Sequence, residues 1–100
     1  MRTREKSYKD YGITEDEKKY ILNFCRTAGE KDKELVKKAL KELNPYISPH
    51  IYRSLTENLS YDDLCKTDYL YMHSVDFYAY RRKGIAAIKR HMIQDGIWNK

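Results

Sequence analysis

Apolar residues recur at intervals of three and four along most of the chain, the spacing that places side chains on one face of an α-helix. The first periodic stretch follows the sequence Thr14-Glu15-Asp16-Glu17, which is typical of a capping box. Its apolar positions are Tyr20, Ile21, Phe24, Cys25 and Ala28. The second stretch has apolar positions at Leu35, Val36, Ala39, Leu40 and Leu43. We expect Gly29 to end the first helix in a left-handed conformation, and Asn44-Pro45 to end the second.

The second half of the chain contains three further helix starts. Ser48-Pro49 predicts a short helix with apolar positions at Ile51, Tyr52, Leu55 and Leu59. Residues 60–63 are a further capping signal, with acids in the first turn of a helix of about two turns. Ser74 is a candidate N-cap for a long last helix, with Asp76 in its first turn and Gly96 at its end. Since no long stretch alternates as a strand does, the sequence predicts an all-α fold, a small bundle of about five helices.

The chain divides into an arm and one domain. Residues 1–12 contain Arg2 and Arg4 and show no helical period, so we expect a flexible basic arm. Residues 13–100 are enough for a single helical domain with one modest core. The apolar runs are too short to span a membrane, so no membrane partner is expected. The two cysteines are isolated and indicate a reducing compartment, the cytoplasm.

Charge is concentrated near the C-terminus. The net charge is +5, and this excess favours partners that carry phosphate or other acids. The segment between residues 77 and 94 contains no acid, and its cations are Arg81, Arg82, Lys83, Lys89 and Arg90. A basic helix face is often merely solvated, so this pattern alone does not identify a partner.

The spacing within residues 60–93 meets several requirements of a helix-turn-helix. Such a motif needs a short first helix, a turn with an apolar residue, and a capped second helix whose outer face enters the major groove. Leu64 and Leu70 are candidates for the apolar residues on either side of the turn, and Cys65 is small enough for the helix crossing. Tyr69 and Tyr71 are expected to pack at the turn. The sequence therefore predicts a helix-turn-helix at about residues 60–93.

The same segment resembles two families. Ser60-Tyr61-Asp62-Asp63-Leu64, followed by Leu70 and Val75, resembles the promoter-reading helix-turn-helix of bacterial sigma factors. The run Asp76-Phe77-Tyr78-Ala79-Tyr80-Arg81-Arg82-Lys83 resembles more closely the small sigma-like phage transcription regulators, the group of RinA and ArpU late-gene activators. The turn residues Thr67-Asp68-Tyr69 depart from the aliphatic residue and glycine that are usual in sigma-type motifs. The resemblance covers about residues 59–90. It implies a phage or prophage protein that binds double-stranded DNA in a bacterial cell and regulates transcription, with RNA polymerase as a further partner.

A helical wheel separates the last helix into an apolar side and an outer side that suits DNA. The outer side combines small residues, which allow close approach, with cations that can donate to guanine. Base reading is expected from Tyr80, Arg82, Lys83, Asp76 and Ala79, after the cap at Ser74. Phosphate contacts are expected from Arg2, Arg4, Lys89, Arg90 and Arg81. Such a reader needs Ala79, Tyr80, Lys83 and Ala87 exposed on one protruding helix.

Two other interpretations remain open. The first is a binding module for an acidic protein, for example a phage-encoded inhibitor of host nucleic-acid machinery of the anti-CRISPR type, since Tyr and Arg are typical of protein interfaces. The second is a homodimer with Ile97-Trp98 at its seam. Neither requires a protruding last helix.

No pattern in the sequence favours an enzyme. His50, His73 and His91 lack the spacing of metal ligands, and no glycine-rich phosphate loop is present. The pair Asp62-Asp63 is better explained by the preference for acids at a helix N-terminus. We therefore expect no catalytic residue, no metal and no cofactor.

Overall fold

The computed structural model describes residues 6–98, and within them the chain is all-helical. The helices are α1 (Glu15–Arg26), α2 (Glu30–Leu40), α3 (Ser48–Glu57), α4 (Tyr61–Cys65) and α5 (Ser74–Gln94). A single 3-10 turn at Lys9–Tyr11 precedes them. The predicted all-α fold of about five helices is confirmed.

Two of the helices begin at complete capping boxes. The Thr14 Oγ1 atom accepts a hydrogen bond from the Glu17 backbone N–H at 3.1 Å, and the Glu17 side chain accepts from the Thr14 N–H at 3.0 Å. Ser60 and Asp63 make the same reciprocal pair at the start of α4, at 3.1 and 3.0 Å. Each cap contributes about 1 kcal/mol to stability. Residues 14–17 and 60–63 therefore act as the sequence predicts.

Other helix ends differ from the prediction. Gly29 has an extended backbone and is the N-cap of α2, so the prediction that it ends α1 in a left-handed conformation is wrong. That conformation occurs at Gly12, at Asn58 after α3, and at Gly96 after α5, where the sequence predicts the end of the last helix. α1 ends at Arg26, and the hydroxyl of its C-cap Thr27 donates to the Asn23 carbonyl at 2.9 Å.

Helix α5 lies at the centre of the domain and packs against the other four α-helices. Burial is not confined to one side of it. The buried residues of α5 are Phe77, Ala79, Gly84, Ile85, Ala86, Ala87, Ile88 and Met92. A helix that is apolar nearly all round is the typical centre of a core, whereas a surface helix has one apolar stripe.

Neighbouring helices approach α5 closely at Gly84. A Cβ atom added there would lie 2.7 Å from the Leu40 Cδ2 atom and 3.4 Å from side-chain atoms of Leu43 and Ile51. All three of these residues are buried. Glycine therefore lets α2, the turn after it and α3 pack directly on the backbone of α5.

Residues 6–13 lie against the helices. Ile13 is buried, and Tyr8 and Tyr11 pack partly buried against the core. The Arg82 Nε atom donates to the Lys6 carbonyl at 2.9 Å. The arm predicted for residues 1–12 is thus packed on the domain from Lys6 onward, while its first residues, with Arg2 and Arg4, lie outside the described residues.

The region predicted as a helix-turn-helix consists of α4, a connection at residues 66–73, and α5. The connection is longer than the turn of about three or four residues that is typical of the motif. Leu64 is buried and Leu70 half-buried, but Cys65 is exposed, so the prediction that it lies at a helix crossing is wrong. The helix-turn-helix itself stays a prediction.

We predict that Gly84→Val lowers the free energy of unfolding by about 1–3 kcal/mol, because the added methyl groups overfill the contact with Leu40, Leu43 and Ile51. Urea denaturation followed by circular dichroism measures the change. Gly29→Ser is the matched control: a Cβ there meets no atom within 4 Å, and we expect a change of only a few tenths of a kcal/mol. Equal stability of the Gly84 variant and the parent would show that the three side chains leave room for a larger residue at position 84.

Candidate interaction surface

The outer side predicted for α5 is not free. Ala79 is 1% exposed and Ala87 is 0% exposed, so neither can approach a DNA base, and their predicted exposure is wrong. The wheel assumed that α5 has one buried side, but the helix is enclosed on several sides. Segment 6–13 is one of the segments that enclose α5, since its carbonyl groups accept hydrogen bonds from Arg82 and Lys89.

Arg81 points into the domain. Its Nε atom donates to the Ser54 Oγ atom at 3.2 Å, and the fully buried Ser54 donates in turn to the Leu59 carbonyl at 2.6 Å. Burial raises the pKa of the neighbouring Tyr8 hydroxyl, although the charges of Arg81 and Arg82 oppose the shift. Arg81 therefore joins α5 to α3 and to the N-terminal segment rather than to a ligand.

Lys89 holds both ends of the described chain against the helices. Its Nζ atom is 3.0 Å from the Glu17 carboxylate and 3.2 Å from the Gly12 carbonyl, to which it donates. The same atom lies 5.4 Å from the centroid of the Trp98 ring, a cation–π contact. Trp98 also packs edge-on against Tyr20 of α1, at 5.3 Å between centroids. This indole is thus packed within its own chain, whereas the homodimer interpretation places it at a seam.

Arg90 and His91 share one acid at the other end of α5. The guanidinium of Arg90 forms an ion pair with Glu42, and the His91 Nε2 atom is 2.9 Å from the other Glu42 oxygen. The hydrogen bond from His91, together with Arg90, lowers the pKa of Glu42. This cluster joins the last turns of α5 to the segment after α2.

These contacts explain the run of cations that the sequence places on α5. Four of the five are engaged within the domain, and only Lys83 makes no hydrogen bond or ion pair with another residue in the described range 6–98. The cations mainly attach neighbouring segments to the central helix. They do not form a continuous basic face.

A different surface stands out next to the start of α5. Three tyrosines are almost fully exposed: Tyr46 at 86%, Tyr69 at 76% and Tyr71 at 89%. Together with the half-buried Tyr80 they surround a shallow groove of about 70 Å³, and we call these four residues the tyrosine patch. The rest of the groove is formed by Asn44, Ile47, His50, Leu70 and Met72.

The tyrosines of the connection pack on each other and little else. The rings of Tyr69 and Tyr71 meet edge to face, with 4.6 Å between their centroids. The prediction that they pack into the turn is wrong, because Leu70 and Met72, between and after them, take the inward positions. No sequence spacing indicates that Tyr46 joins them, since it comes from the turn before α3.

Polar contacts hold the connection that carries the patch. Asp68 accepts from Arg53 at 3.0 and 3.1 Å, and the His50 Nδ1 atom lies 3.0 Å from it. Although burial raises the pKa of Asp68, the hydrogen bonds from His50 and Arg53 lower it overall. The Tyr61 hydroxyl donates to the Met72 carbonyl at 2.6 Å. The groove therefore has a fixed wall whose charges are already neutralised.

The first turn of α5 is partly open to solvent. Ser74 and Val75 are exposed, and Asp76 is half-buried. Ser74 is the first helical residue and not the predicted N-cap; that position is taken by His73, whose side chain makes no capping bond. Among the predicted base-reading residues, Tyr80, Arg82 and Lys83 are half-buried.

Catalytic and metal chemistry has few candidates among the described residues. Burial raises the pKa of the Cys25 thiol to about 12, so this cysteine stays protonated at neutral pH. Within residues 6–98, no group of three or more His, Cys, Asp or Glu side chains is arranged to hold a metal ion. In the same range, no helix combines the length and apolarity needed to cross a membrane.

We predict that acid weakens the domain through its paired carboxylates. Hydrogen bonds from the Thr14 backbone and from Lys89 lower the pKa of Glu17 below its ordinary value of 4.5, and Glu42 is lowered by its own partners. The unfolded chain then binds more protons in acid, so this stability is present above about pH 4.5 and is lost as pH falls further.

Urea midpoints measured at about pH 7 and about pH 3 test this linkage. Glu42→Gln should be less stable than the parent at neutral pH. Its free energy of unfolding should fall less than that of the parent when the pH is lowered. Glu30→Gln, at an exposed acid without a side-chain partner in the described range, serves as the control. Identical pH dependence in the parent and the Glu42 variant would contradict the assignment.

Comparisons of this chain with protein-family models, with curated proteins and with solved structures give no match.

Proposed function

We propose that the protein is a non-catalytic binding module that docks onto a partner protein through the tyrosine patch. The observation that carries the proposal is the gathering of Tyr46, Tyr69 and Tyr71, each more than three-quarters exposed, around one groove. Tyrosine is enriched in the buried centre of protein interfaces, where its ring is desolvated and its hydroxyl stays hydrogen-bonded. Exposed rings side by side are costly in water unless a partner covers them.

The area of the patch suits a protein interface. A tyrosine side chain can bury on the order of 200 Å², so the three exposed rings offer roughly 500 Å². A standard interface buries about 800 Å² on each partner. The patch therefore supplies most of one side, and neighbouring exposed residues such as Val75 can supply the rest.

The patch also needs little ordering before it binds. Its connection is fixed by the hydrogen bonds of Asp68 and of the Tyr61 hydroxyl. Since ordering of loops is one of the main costs of association, a connection that is already held in place leaves more of the contact energy as affinity.

Charge favours an acidic protein over a DNA duplex at this site. Binding to DNA depends on several cations that replace counterions along the phosphate backbone. On α5 only Lys83 has no partner in the described residues, whereas the chain as a whole carries +5. Both protein partners considered from the sequence, RNA polymerase and an acidic component of host nucleic-acid machinery, fit this proposal.

We predict that a photo-crosslinking amino acid at position 71 or 46 forms an adduct with one discrete protein in cells that contain the natural partner. The same residue at position 93, at the other end of α5, is the control because Ile93 is also exposed. Mass spectrometry identifies the adduct. With the purified partner, Tyr71→Ala should then weaken binding by about 2 kcal/mol, as for an interface hot spot. Adducts of equal yield from positions 71 and 93 would count against the patch.

A second candidate function is the regulation of transcription by binding double-stranded DNA. The observation that favours it is the open first turn of α5, where Ser74 and Val75 are exposed and the helix has no side-chain cap. In helix-turn-helix proteins the first residues of the recognition helix contact the bases. In this case DNA would meet the tip of α5 and Lys83, not the length of the helix.

Fluorescence anisotropy tests the second candidate, with the DNA upstream of the protein's own coding sequence and a random duplex at several salt concentrations. A sequence-reading regulator binds the upstream DNA more tightly and loses affinity as salt rises. In that case Lys83→Ala should cost about 1–3 kcal/mol on the upstream DNA. Arg90→Ala, at the other end of α5 and in an ion pair with Glu42, should leave the affinity for both duplexes nearly unchanged. Weak and equal binding to both duplexes would exclude this function.

A further inference from the structure

We infer that Lys83 is the charged contact of the tyrosine patch, and that the partner presents a carboxylate next to an apolar or aromatic side chain. This inference rests on the proposed function, since it concerns the partner of the same surface. It specifies the chemistry of the contact: rings and aliphatic groups enter the groove, and one acid reaches the ammonium group of Lys83.

Position and burial single out this lysine. Lys83 follows Tyr80 by three residues on α5, so the two side chains are neighbours on the helix surface. It is half-buried and makes no hydrogen bond or ion pair with another residue between 6 and 98. A half-buried lysine one helical turn from Tyr80, which lines the groove, can make a charge-assisted hydrogen bond to a partner that covers the groove.

Several of the other charged groups near the patch already have partners. Asp68 pairs with Arg53 and lies within hydrogen-bond distance of His50, and Lys66 lies 3.8 Å from the Asp63 carboxylate. Among the α5 and connection residues within 6–98, Lys83 is therefore the cation available to complement an acid. The overall charge of +5 attracts an acidic partner to the molecule, and Lys83 can fix the orientation in which it binds.

A polyanion fits this surface less well than a peptide does. Residues 60–76, which lead through the connection into α5, contain the acids Asp62, Asp63, Asp68 and Asp76 against the single cation Lys66. A strand of nucleic acid brings a phosphate at every nucleotide and needs several cations along its path. A peptide that presents one carboxylate beside an apolar group complements the four tyrosines of the patch and the ammonium group of Lys83.

Selection of a random peptide library on the immobilised full-length protein provides the probe. We expect the selected peptides to combine Asp or Glu with a neighbouring aromatic or large aliphatic residue. Binding of a selected peptide should fall about tenfold in Lys83→Met, which keeps the aliphatic stem and removes the charge. It should fall further in Lys83→Glu and recover when the acid of the peptide is replaced by lysine.

Lys19→Glu is the matched control. Lys19 is exposed on α1 and has no partner among residues 6–98, and the variant changes the net charge by the same amount as Lys83→Glu. We expect it to bind the selected peptide nearly as the parent does. Circular dichroism and thermal unfolding of every variant identify any loss of fold, and the recovery with the charge-reversed peptide cannot come from a misfolded protein.

The outcomes separate the inference from the function on which it rests. If Tyr71→Ala abolishes peptide binding while the Lys83 variants bind as the parent does, Lys83 is not the contact, and the patch still binds protein. If no peptide is enriched, or if Tyr71→Ala binds every selected peptide as the parent does, the Lys83 inference and the proposed function of the patch are both overturned. A single-stranded oligonucleotide that displaces the peptide with higher affinity would also overturn both. The patch would then bind single-stranded nucleic acid through bases that stack on its tyrosines.

Discussion

The contact of α2 and α3 with the backbone of α5 at Gly84 sets the arrangement of the whole domain. Because Leu40, Leu43 and Ile51 approach within van der Waals distance of that backbone, α5 lies in the middle of the bundle and not on its surface. A central helix must bury residues around most of its circumference. Its long cationic side chains then extend through the gaps between neighbouring segments, and they meet carbonyl groups and carboxylates there.

This arrangement changes the meaning of the charges on α5. In a surface helix, a series of cations without acids is available to a ligand. Here Arg81, Arg82 and Lys89 act as polar cross-links between α5, α3, α1 and the segment before α1. Such half-buried contacts help to specify one packing arrangement, because a cation without its partner would be left poorly solvated. What remains for recognition lies beside the first half of α5, where three exposed tyrosines and the half-buried Lys83 are found.

Local signals in the sequence were sufficient to locate the five helices. Residues 14–17 and 60–63 begin helices through side-chain to backbone bonds that span three residues, and apolar periodicity identifies the five segments between the turns. The surroundings of α5 depend on contacts between distant residues, such as Arg82 with Lys6, and periodicity carries no information about them. For the same reason the wheel placed Ala79 and Ala87 outside. The tyrosine patch was missed because Tyr46 and Tyr71 are brought together only by the packing of α3 and the connection against α5.

The position of Trp98 has a practical consequence. It is the single tryptophan of the chain, and it contacts Tyr20 on one helix and the ammonium group of Lys89 on another. Indole emission depends strongly on nearby charge and solvent. The molecule thus contains its own optical reporter on the attachment of the C-terminal residues to α1 and α5, at a location well separated in sequence from the tyrosine patch. A ligand that alters this emission changes the surroundings of Trp98, and with them the contacts that attach the C-terminal residues to α1 and α5.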